Sequence, residues 1–217
     1  MKLTVIGASG FVGSEVLKEA LNRGHQVTAI VRHPEKVSVQ NDHLSVVRGD
    51  VMDTAALAEL IKGSDMVISA YNAGWTNPNL YNDFLKGSQS IQEATRQSGV
   101  KRLLVVGGAG SLFIAPGVQV VDTPEFPADW KPGASAARDY LSLLQKEDQL
   151  DWTFLSPALE MHQGTPRQRT GVYRTGLDNP VFDANNKSAI SVNDLAVAII
   201  DEAESPKHIR KRFTVAY

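Results

Sequence analysis

The chain has 217 residues, of which 42% are hydrophobic and 21% are charged, so it can bury a sizeable core. Its net charge of -2 provides no strong field to recruit nucleic acid or an anionic membrane. The absence of cysteine excludes disulfides, thiolate metal sites and cysteine nucleophiles within the chain.

The start of the chain and its apolar runs bear on location. A strand-like run already begins at residue 3, and we therefore expect no signal peptide ahead of the fold. No apolar run approaches the roughly 20 residues that span a bilayer. These features predict a cytoplasmic protein without a membrane segment.

The first half of the chain alternates short β-branched runs with longer helical patterns. Strands are predicted over residues 3–7, 26–32, 44–47, 65–70 and 102–106, and helices over 9–23, 54–61 and 80–97. Such alternation indicates a parallel sheet with right-handed crossovers. The strands are continuously apolar, which indicates that both faces of the sheet are covered.

The second half is less regular. Residues 111–133 contain four prolines and are predicted to form a loop, followed by a helix over 134–146 and a strand over 152–155. Residues 158–190 are rich in Gly, Pro, Asn and Thr, and we expect an irregular lobe on the substrate side. Ser191 is placed to cap a final helix, and an edge strand is predicted at 212–217.

The order of elements predicts the fold class. We expect an α/β protein with a Rossmann-type, doubly wound parallel sheet and a small irregular C-terminal substrate lobe. No internal repeat or linker divides the chain. We therefore predict a single domain over 1–217.

A glycine-rich loop follows the first predicted strand, with the spacing G-x-x-G-x-x-G. The first glycine permits a tight turn, the second lets the backbone approach a pyrophosphate, and the third lets the helix pack closely on the strand. Free N–H groups at the helix N-terminus favour a bound anion. The motif predicts a dinucleotide site, and the alternative is a nucleotide fold that has lost its ligand. The predicted cofactor residues of this loop are Gly7, Ser9, Gly10, Phe11, Val12 and Gly13.

The end of the second strand bears on the choice of cofactor. NAD-preferring sites place Asp or Glu there, bonded to the ribose 2′-hydroxyl. This chain has Arg32, followed by His33 and Lys36, and no carboxylate at the strand end. A 2′-phosphate would be attracted by Arg32, so NADP(H) is the predicted cofactor and NAD(H) the less favoured one. A solvated basic loop is the alternative interpretation.

Several segments resemble one known superfamily. They are GASGFVG at 7–13, VVRGDVMD at 46–53, VISAYNAG at 67–74, RLLVVGGAGSL at 102–112 and LDWTFLSPA at 150–158. Together they resemble the atypical short-chain dehydrogenase/reductase superfamily, and more narrowly its NAD(P)H-binding, NmrA-like proteins, described as candidate NADH-flavin reductases or epimerases. The segment ISVNDLAVAIIDEAE at 190–204 resembles the late helix of that group, so the likeness covers nearly the whole chain.

The resemblance implies roles for residues at the strand ends, although packing at those ends would account for each equally well. The implied positions are Asp50 and Val51 against the adenine, Ala70 and Tyr71 beside the adenosine ribose, Gly107 and Gly108 where the superfamily often carries an active-site serine or threonine, and Ser156 and Pro157 beside the nicotinamide.

The chain departs from the superfamily at its usual Tyr-x-x-x-Lys pair, because none of the five tyrosines is followed by a lysine at that spacing. Arg138 lies roughly where the lysine would fall; it could hold a ribose but stays charged and cannot act as an acid or base. Alcohol and ketone chemistry needs a proton relay at the oxygen. Hydride transfer to a flavin or quinone can rely on positioning, so the absence favours such an acceptor and equally fits a non-catalytic sensor.

Few side chains are candidates for the substrate pocket. Ser111 could donate a hydrogen bond to the substrate, although an ordinary loop serine is at least as good an explanation. His162 could act as a proton donor, although a lone loop histidine is more often simply solvated. An aromatic wall could be formed by Trp75 and Phe113 together with Tyr71, although core packing explains these rings equally well. No His/Asp/Glu spacing suggests a metal site.

Three functions remain open from the sequence. The favoured one is an NAD(P)H-dependent reductase whose partner is a small aromatic acceptor, with neither nucleic acid nor membrane involved. The second is a regulatory protein that senses NADP(H) through a partner protein. The third is a nucleotide-sugar epimerase or dehydratase, although such enzymes normally depend on the Tyr/Lys pair and a larger C-terminal lobe. The sequence leaves two roles for the loop over 112–132, a lid over the substrate or an interface.

Overall fold

A computed structural model describes all residues, 1–217. In chain order the helices and strands are β1 (Lys2–Ile6), α1 (Phe11–Asn22), β2 (Gln26–Val31), β3 (Leu44–Arg48), α2 (Thr54–Ile61), β4 (Met66–Ser69), α3 (Leu80–Gln97), β5 (Arg102–Val106), β6 (Phe113–Ala115), β7 (Val118–Gln119), α4 (Lys131–Leu144), β8 (Asp151–Ser156), β9 (Arg174–Gly176), α5 (Val192–Glu204) and β10 (Lys211–Ala216). Eight strands form one sheet in the order β3-β2-β1-β4-β5-β8-β10-β9, and β6 pairs with β7 in a separate hairpin.

The large sheet is parallel except at its last pair, where β9 runs antiparallel to β10. Helices cover both of its faces, since α1 and α5 pack on one side and α2, α3 and α4 on the other. Along β1, Leu3 and Val5 point into the first of these cores and Ile6 into the second, because successive side chains of a strand alternate between faces. The predicted doubly wound Rossmann-type α/β fold is thus confirmed.

The strand order has one switch point, between β1 and β4. From β1 the chain proceeds to β2 and β3 on one side, and β4, β5 and β8 lie on the other. Crossovers that diverge in this way leave a crevice outside the carboxyl ends of the strands, where ligands of doubly wound sheets bind. The glycine loop follows β1, and the predicted nicotinamide-side residues follow β5 and β8, so all of them lie along this one edge.

Local signals set the helix ends that the sequence predicted. The Ser191 hydroxyl accepts a hydrogen bond from the Asp194 N–H at 3.0 Å and caps α5, as predicted. Asp53 caps α2 in the same way, accepting from the Ala56 N–H at 3.1 Å. Gly63 follows α2 with φ +80°, a conformation that side chains disfavour. The predicted bounds of α2, α3 and β5 agree with the structure.

Two predictions about the second half were wrong. The stretch 111–133 is not wholly loop, because it holds the β6–β7 hairpin and the start of α4 at Lys131, with Pro132 in the first turn, where a missing N–H costs nothing. The terminal strand β10 is not an edge strand, because β9 pairs with its outer side. With only three residues, none of them buried, β9 lacks the apolar pattern that identifies strands.

No helix of the structure is both long enough and apolar enough to cross a membrane.

Candidate functional site

The glycine loop joins β1 to α1 by a very close approach of backbone to backbone. Gly7 has φ +79°, and a Cβ added there would lie 2.6 Å from the carbonyl oxygen of Ala70, just beyond β4. A Cβ added at Gly13 would lie 2.2 Å from the carbonyl oxygen of Gly7. Both contacts are too short for any side chain, so the two glycines allow the strand, the loop and the helix to meet.

The first turn of α1 presents unused hydrogen-bond donors. Gly10 occupies the N-cap position without a side-chain cap, and the N–H groups of Phe11, Val12 and Gly13 find no acceptor in the chain. A Cβ added at Gly10 would meet only the Gly7 carbonyl oxygen, at 3.2 Å, with open space otherwise. This cradle of free N–H groups fits a pyrophosphate, because an anion gains from both the donors and the helix dipole.

Arg32 lies at the next position along the crevice, directly after β2. Its side chain is exposed and forms no ion pair, whereas the neighbouring His33 pairs with Glu35 at 3.1 Å. Burial raises the pKa of Tyr71 to about 12, and the nearby Arg32 charge opposes this rise while Asp83 and Asp50 add to it. Arg32 and Asp50 are therefore near enough to Tyr71 for their charges to influence its hydroxyl.

Tyr71 is fixed by packing on α3. Its ring stacks on Phe84 at 6.0 Å between centroids, and its hydroxyl donates to the Asp83 carbonyl oxygen at 3.1 Å. Gly87 makes room for it, because a Cβ there would lie 2.6 Å from the Tyr71 ring. One face of this side of the crevice is thus a rigid aromatic surface.

Beyond β5 the predicted nicotinamide-side residues are tightly packed. A Cβ at Gly107 would lie 1.9 Å from the Phe154 ring, which explains the glycine without any ligand. The Ser111 hydroxyl donates to the Gly108 carbonyl oxygen at 3.2 Å and lies 3.3 Å from the Ser156 hydroxyl. Both serines are buried. A hydrogen bond from Ser111 to the substrate stays a prediction, and this internal pairing argues against it.

Arg212 on β10 binds the segment that follows β5, and sequence reasoning missed this residue. It is buried, its Nη1 donates to the Ser111 carbonyl oxygen at 2.6 Å, and its Nε donates to Asp178 at 3.0 Å. Its guanidinium lies over the Phe113 ring, 5.6 Å from the centroid. A charged residue in a predicted edge strand carries no sign that it points into the fold, so only the structure reveals this contact.

Arg138 is paired with carboxylates rather than free. Its Nη1 donates to Asp122 at 3.0 Å and its Nε to Asp139 at 2.9 Å. Asp139 also accepts the Tyr81 hydroxyl at 2.7 Å. Binding of a ribose by Arg138 stays a prediction, and it would require these ion pairs to open.

Two exposed tryptophans border the N-terminus of α4. Trp75 is 60% exposed and lies against Gly133, where an added Cβ would be 2.9 Å from the Trp75 ring. Trp130 directly precedes α4, is 49% exposed, and its ring centroid lies 6.5 Å from that of His162. We call Trp75, Trp130 and His162 the aromatic rim. Sequence reasoning singled out Trp75 and His162 but missed Trp130, which fell inside the predicted loop because the helix was predicted to begin at residue 134.

The predicted aromatic wall of Trp75, Phe113 and Tyr71 stays a prediction, and the contacts of the three rings argue against it. Tyr71 packs on α3, and Phe113 lies under Arg212 and accepts a hydrogen bond at its carbonyl oxygen from Asn179. Trp75 alone of the three lies at α4. The three rings come from segments that contact different parts of the fold, which a reading along the chain could not resolve.

No tyrosine of the chain is prepared for acid–base catalysis. All five hydroxyls donate to internal acceptors, and the pKa of every tyrosine is raised, by burial in four cases and by the hydrogen bond to Asp139 in Tyr81. The acceptors are the Asp83 carbonyl oxygen for Tyr71, Asp139 for Tyr81, Gln92 for Tyr140, Asp201 for Tyr173 and Asp194 for Tyr217. The lysine-lowered tyrosine of related enzymes therefore has no counterpart here.

A cavity of about 400 Å³, lined mostly by polar residue types, opens next to the aromatic rim. His162 lines it together with Glu160, Gln168, Lys187 and Tyr217. Lys187 pairs with Glu160 at 3.2 Å across the cavity lining. The planar rings of the aromatic rim thus adjoin a cavity that carries both a positive and a negative side chain.

Comparison with known proteins agrees with a dinucleotide site at the glycine loop. A family model described as NAD(P)H-binding matches residues 7–206. The Bacillus subtilis protein YwnB is 43% identical over 217 residues, covering 99% of this chain and 98% of its own length.

Solved structures give the same result. A protein of Bacteroides thetaiotaomicron named as a candidate epimerase has 48% identity and a TM-score of 0.92, covering 100% of this chain and 96% of its own. A Streptococcus pneumoniae protein named as a candidate NADH-flavin reductase has 35% identity and a TM-score of 0.85, covering 100% and 99%. The resemblance first seen in the sequence motifs is confirmed, and the chain belongs to the NAD(P)H-binding family of atypical short-chain dehydrogenase/reductases.

Proposed function

We propose that the protein is an NADPH-preferring reductase that transfers hydride to a flat aromatic acceptor such as a flavin or a quinone. Membership of an NAD(P)H-binding oxidoreductase family supports the cofactor class. The single observation that carries the finer proposal is the state of the tyrosines: each hydroxyl is committed internally and each pKa is raised.

The chain offers separate groups for separate parts of the cofactor. The free N–H groups of Phe11, Val12 and Gly13 fit the pyrophosphate. Arg32, exposed and without an ion pair, fits a 2′-phosphate, and Tyr71 provides a fixed aromatic surface at the adenosine. A ribose 2′-hydroxyl without a phosphate would find no carboxylate at the end of β2, which favours NADPH over NADH.

The bound dinucleotide supplies the hydride, and the chain must then orient the acceptor and limit water around it. The aromatic rim provides planar surface for this purpose at the N-terminus of α4. A reduced flavin or quinone takes its proton from solvent, so no tyrosine of low pKa is required. An acceptor whose oxygen must be protonated during hydride transfer would lack a tyrosine donor in this cleft.

Epimerase or dehydratase chemistry is the main competitor, because one similar structure is named as a candidate epimerase. The test measures initial rates of NADPH consumption with riboflavin and with menadione. A nucleotide sugar is followed separately by NMR, because an epimerase returns the hydride that it removes and consumes no NADPH. We expect turnover with the aromatic acceptors and none with the sugar. Conversion of the sugar, or tight NADPH binding without turnover of any acceptor, would contradict the proposal, the latter in favour of a sensor.

A further inference from the structure

The segment that follows β8 crosses in front of α1. We call residues 162–173 the strap. The Gln168 carbonyl oxygen accepts the Ser191 hydroxyl at 2.5 Å. Asp194, buried in the first turn of α5, accepts from the N–H groups of Thr170 at 2.9 Å and Gly171 at 2.8 Å. These bonds fix the middle of the strap to the N-terminus of α5, beside α1.

Two arginines of the strap differ in how they are bound. Arg169 donates through Nε and Nη2 to the two oxygens of Glu19, both at 2.8 Å, and Glu19 is 4% exposed. Arg167 is 55% exposed, and its nearest carboxylate oxygen, on Glu15, lies 3.7 Å from Nη1. Arg169 is therefore a fixed anchor, whereas Arg167 keeps most of its donors free.

Arg167 is held above the cofactor loop. Its guanidinium lies over the Phe11 ring, 5.3 Å from the centroid. Phe11 begins α1, and its N–H is one of the three unused donors. Between residues 7 and 14 the loop carries no basic side chain, and the nearby Lys18 is paired with Glu15 at 2.8 Å. A cation from elsewhere in the fold would add a charged partner for a pyrophosphate at this helix end.

We propose that Arg167 is that cation: it binds the pyrophosphate of the dinucleotide from the strap, on the side opposite the free N–H groups of α1. The assignment rests on the dinucleotide lying in the crevice as proposed above. Two arginines would then bind different parts of the cofactor. Arg32 binds the 2′-phosphate, and Arg167 binds the pyrophosphate that NADPH and NADH share. The strap also brings His162 to the aromatic rim, so it links the cofactor loop with the acceptor side.

The two arginines make opposite predictions for three probes, which calorimetric titration can distinguish. Arg167→Gln should weaken NADPH and NADH alike by about tenfold, the loss expected for one charge-assisted hydrogen bond, and leave 2′-AMP, which has no pyrophosphate, unchanged. Arg32→Ala should weaken NADPH and 2′-AMP and leave NADH unchanged. Arg167→Lys should recover part of the loss, because it keeps the charge but not the planar fork.

The control is Arg96→Gln, an exposed arginine that pairs with Glu93 at the far end of α3 and should alter no titration. Thermal melting of each variant checks that it is folded. Substitution of Arg167 should leave the fold intact, because its side chain is exposed. Equal dinucleotide affinities for Arg167→Gln and wild type would overturn this assignment alone, as would a loss restricted to NADPH. Binding of neither dinucleotide by the wild-type protein would instead overturn the proposed function.

Discussion

A Cβ placed on Gly13 would lie 2.2 Å from the carbonyl oxygen of Gly7, so the first turn of α1 rests directly on the end of β1. The obstacle is backbone, which cannot move aside as a flexible side chain would. At Gly10 the same addition meets only the Gly7 oxygen, at 3.2 Å, and otherwise open space. Gly13 is therefore required for packing of the loop, whereas Gly10 leaves open space for a ligand.

Gly13→Ala should destabilise the fold, and Gly10→Ala should mainly impair binding. We expect Gly13→Ala to lower the free energy of unfolding by about 2–3 kcal/mol, the usual cost of forced overpacking. Gly10→Ala should lower it far less while weakening NADPH, because its methyl group occupies the space in front of the free N–H groups. Urea unfolding and calorimetric titration of both variants measure the two effects. Equal destabilisation by both substitutions would contradict this division of roles.

Arg32→Ala should change the choice of cofactor rather than the fold. Removing a charge-assisted contact with the 2′-phosphate should reduce the binding free energy of NADPH by about 1.5–3 kcal/mol and that of NADH very little. Titration of both cofactors with the wild type and the variant measures the difference, with NADH as the internal control. A similar loss for both cofactors would place Arg32 elsewhere than at the 2′-phosphate.

Arg169→Gln should destabilise the chain in a pH-dependent manner. The hydrogen bonds from Arg169 are the main cause that holds the pKa of Glu19 below its usual 4.5. A lowered carboxyl pKa stabilises the fold fully above pH 4.5, and this contribution is lost as the pH falls through the folded-state pKa. We expect the variant to unfold at a lower urea concentration than the wild type at pH 7, with the difference shrinking at pH 3. Urea unfolding at the two pH values tests this, and a difference independent of pH would contradict it.

Trp130→Ala should impair use of the acceptor without changing the cofactor. Loss of the exposed ring removes stacking surface worth about 1 kcal/mol or more, so KM for riboflavin should rise about fivefold or more. The Kd of NADPH should stay as in the wild type, because the ring lies at α4 and not at the glycine loop. Leu143→Ala, an exposed apolar position near the other end of α4, is the matched control. If the Kd of NADPH rose as much as the KM for riboflavin, Trp130 would contact the cofactor rather than the acceptor, which would contradict this prediction.

Local chemistry explains which parts of the fold could be predicted. The bounds of α2 and α3 follow from residues inside or beside each helix, such as Gly63 just after α2, and a glycine loop between a strand and a helix identifies the cofactor end by itself. Short exposed elements such as β9 lack such a signal.

The rest of the site depends on neighbours that are distant along the chain. Arg167 meets Phe11, Trp130 meets His162, and Arg212 meets Ser111 only after the sheet and its helices have packed. Single-residue reasoning placed Ser111 in the pocket because it follows β5. The direction of its hydroxyl, toward Ser156 and Gly108, is set by this packing and not by its position in the sequence.

The most direct test of the central claim is anaerobic mixing of the purified protein with NADPH and riboflavin, followed by absorbance. Hydride transfer to a flat acceptor predicts that the flavin is bleached in step with the loss of NADPH, one molecule for each, and that NADH supports the reaction less well. Loss of NADPH without bleaching of the flavin, or no reaction when binding of NADPH has been demonstrated, would contradict the account.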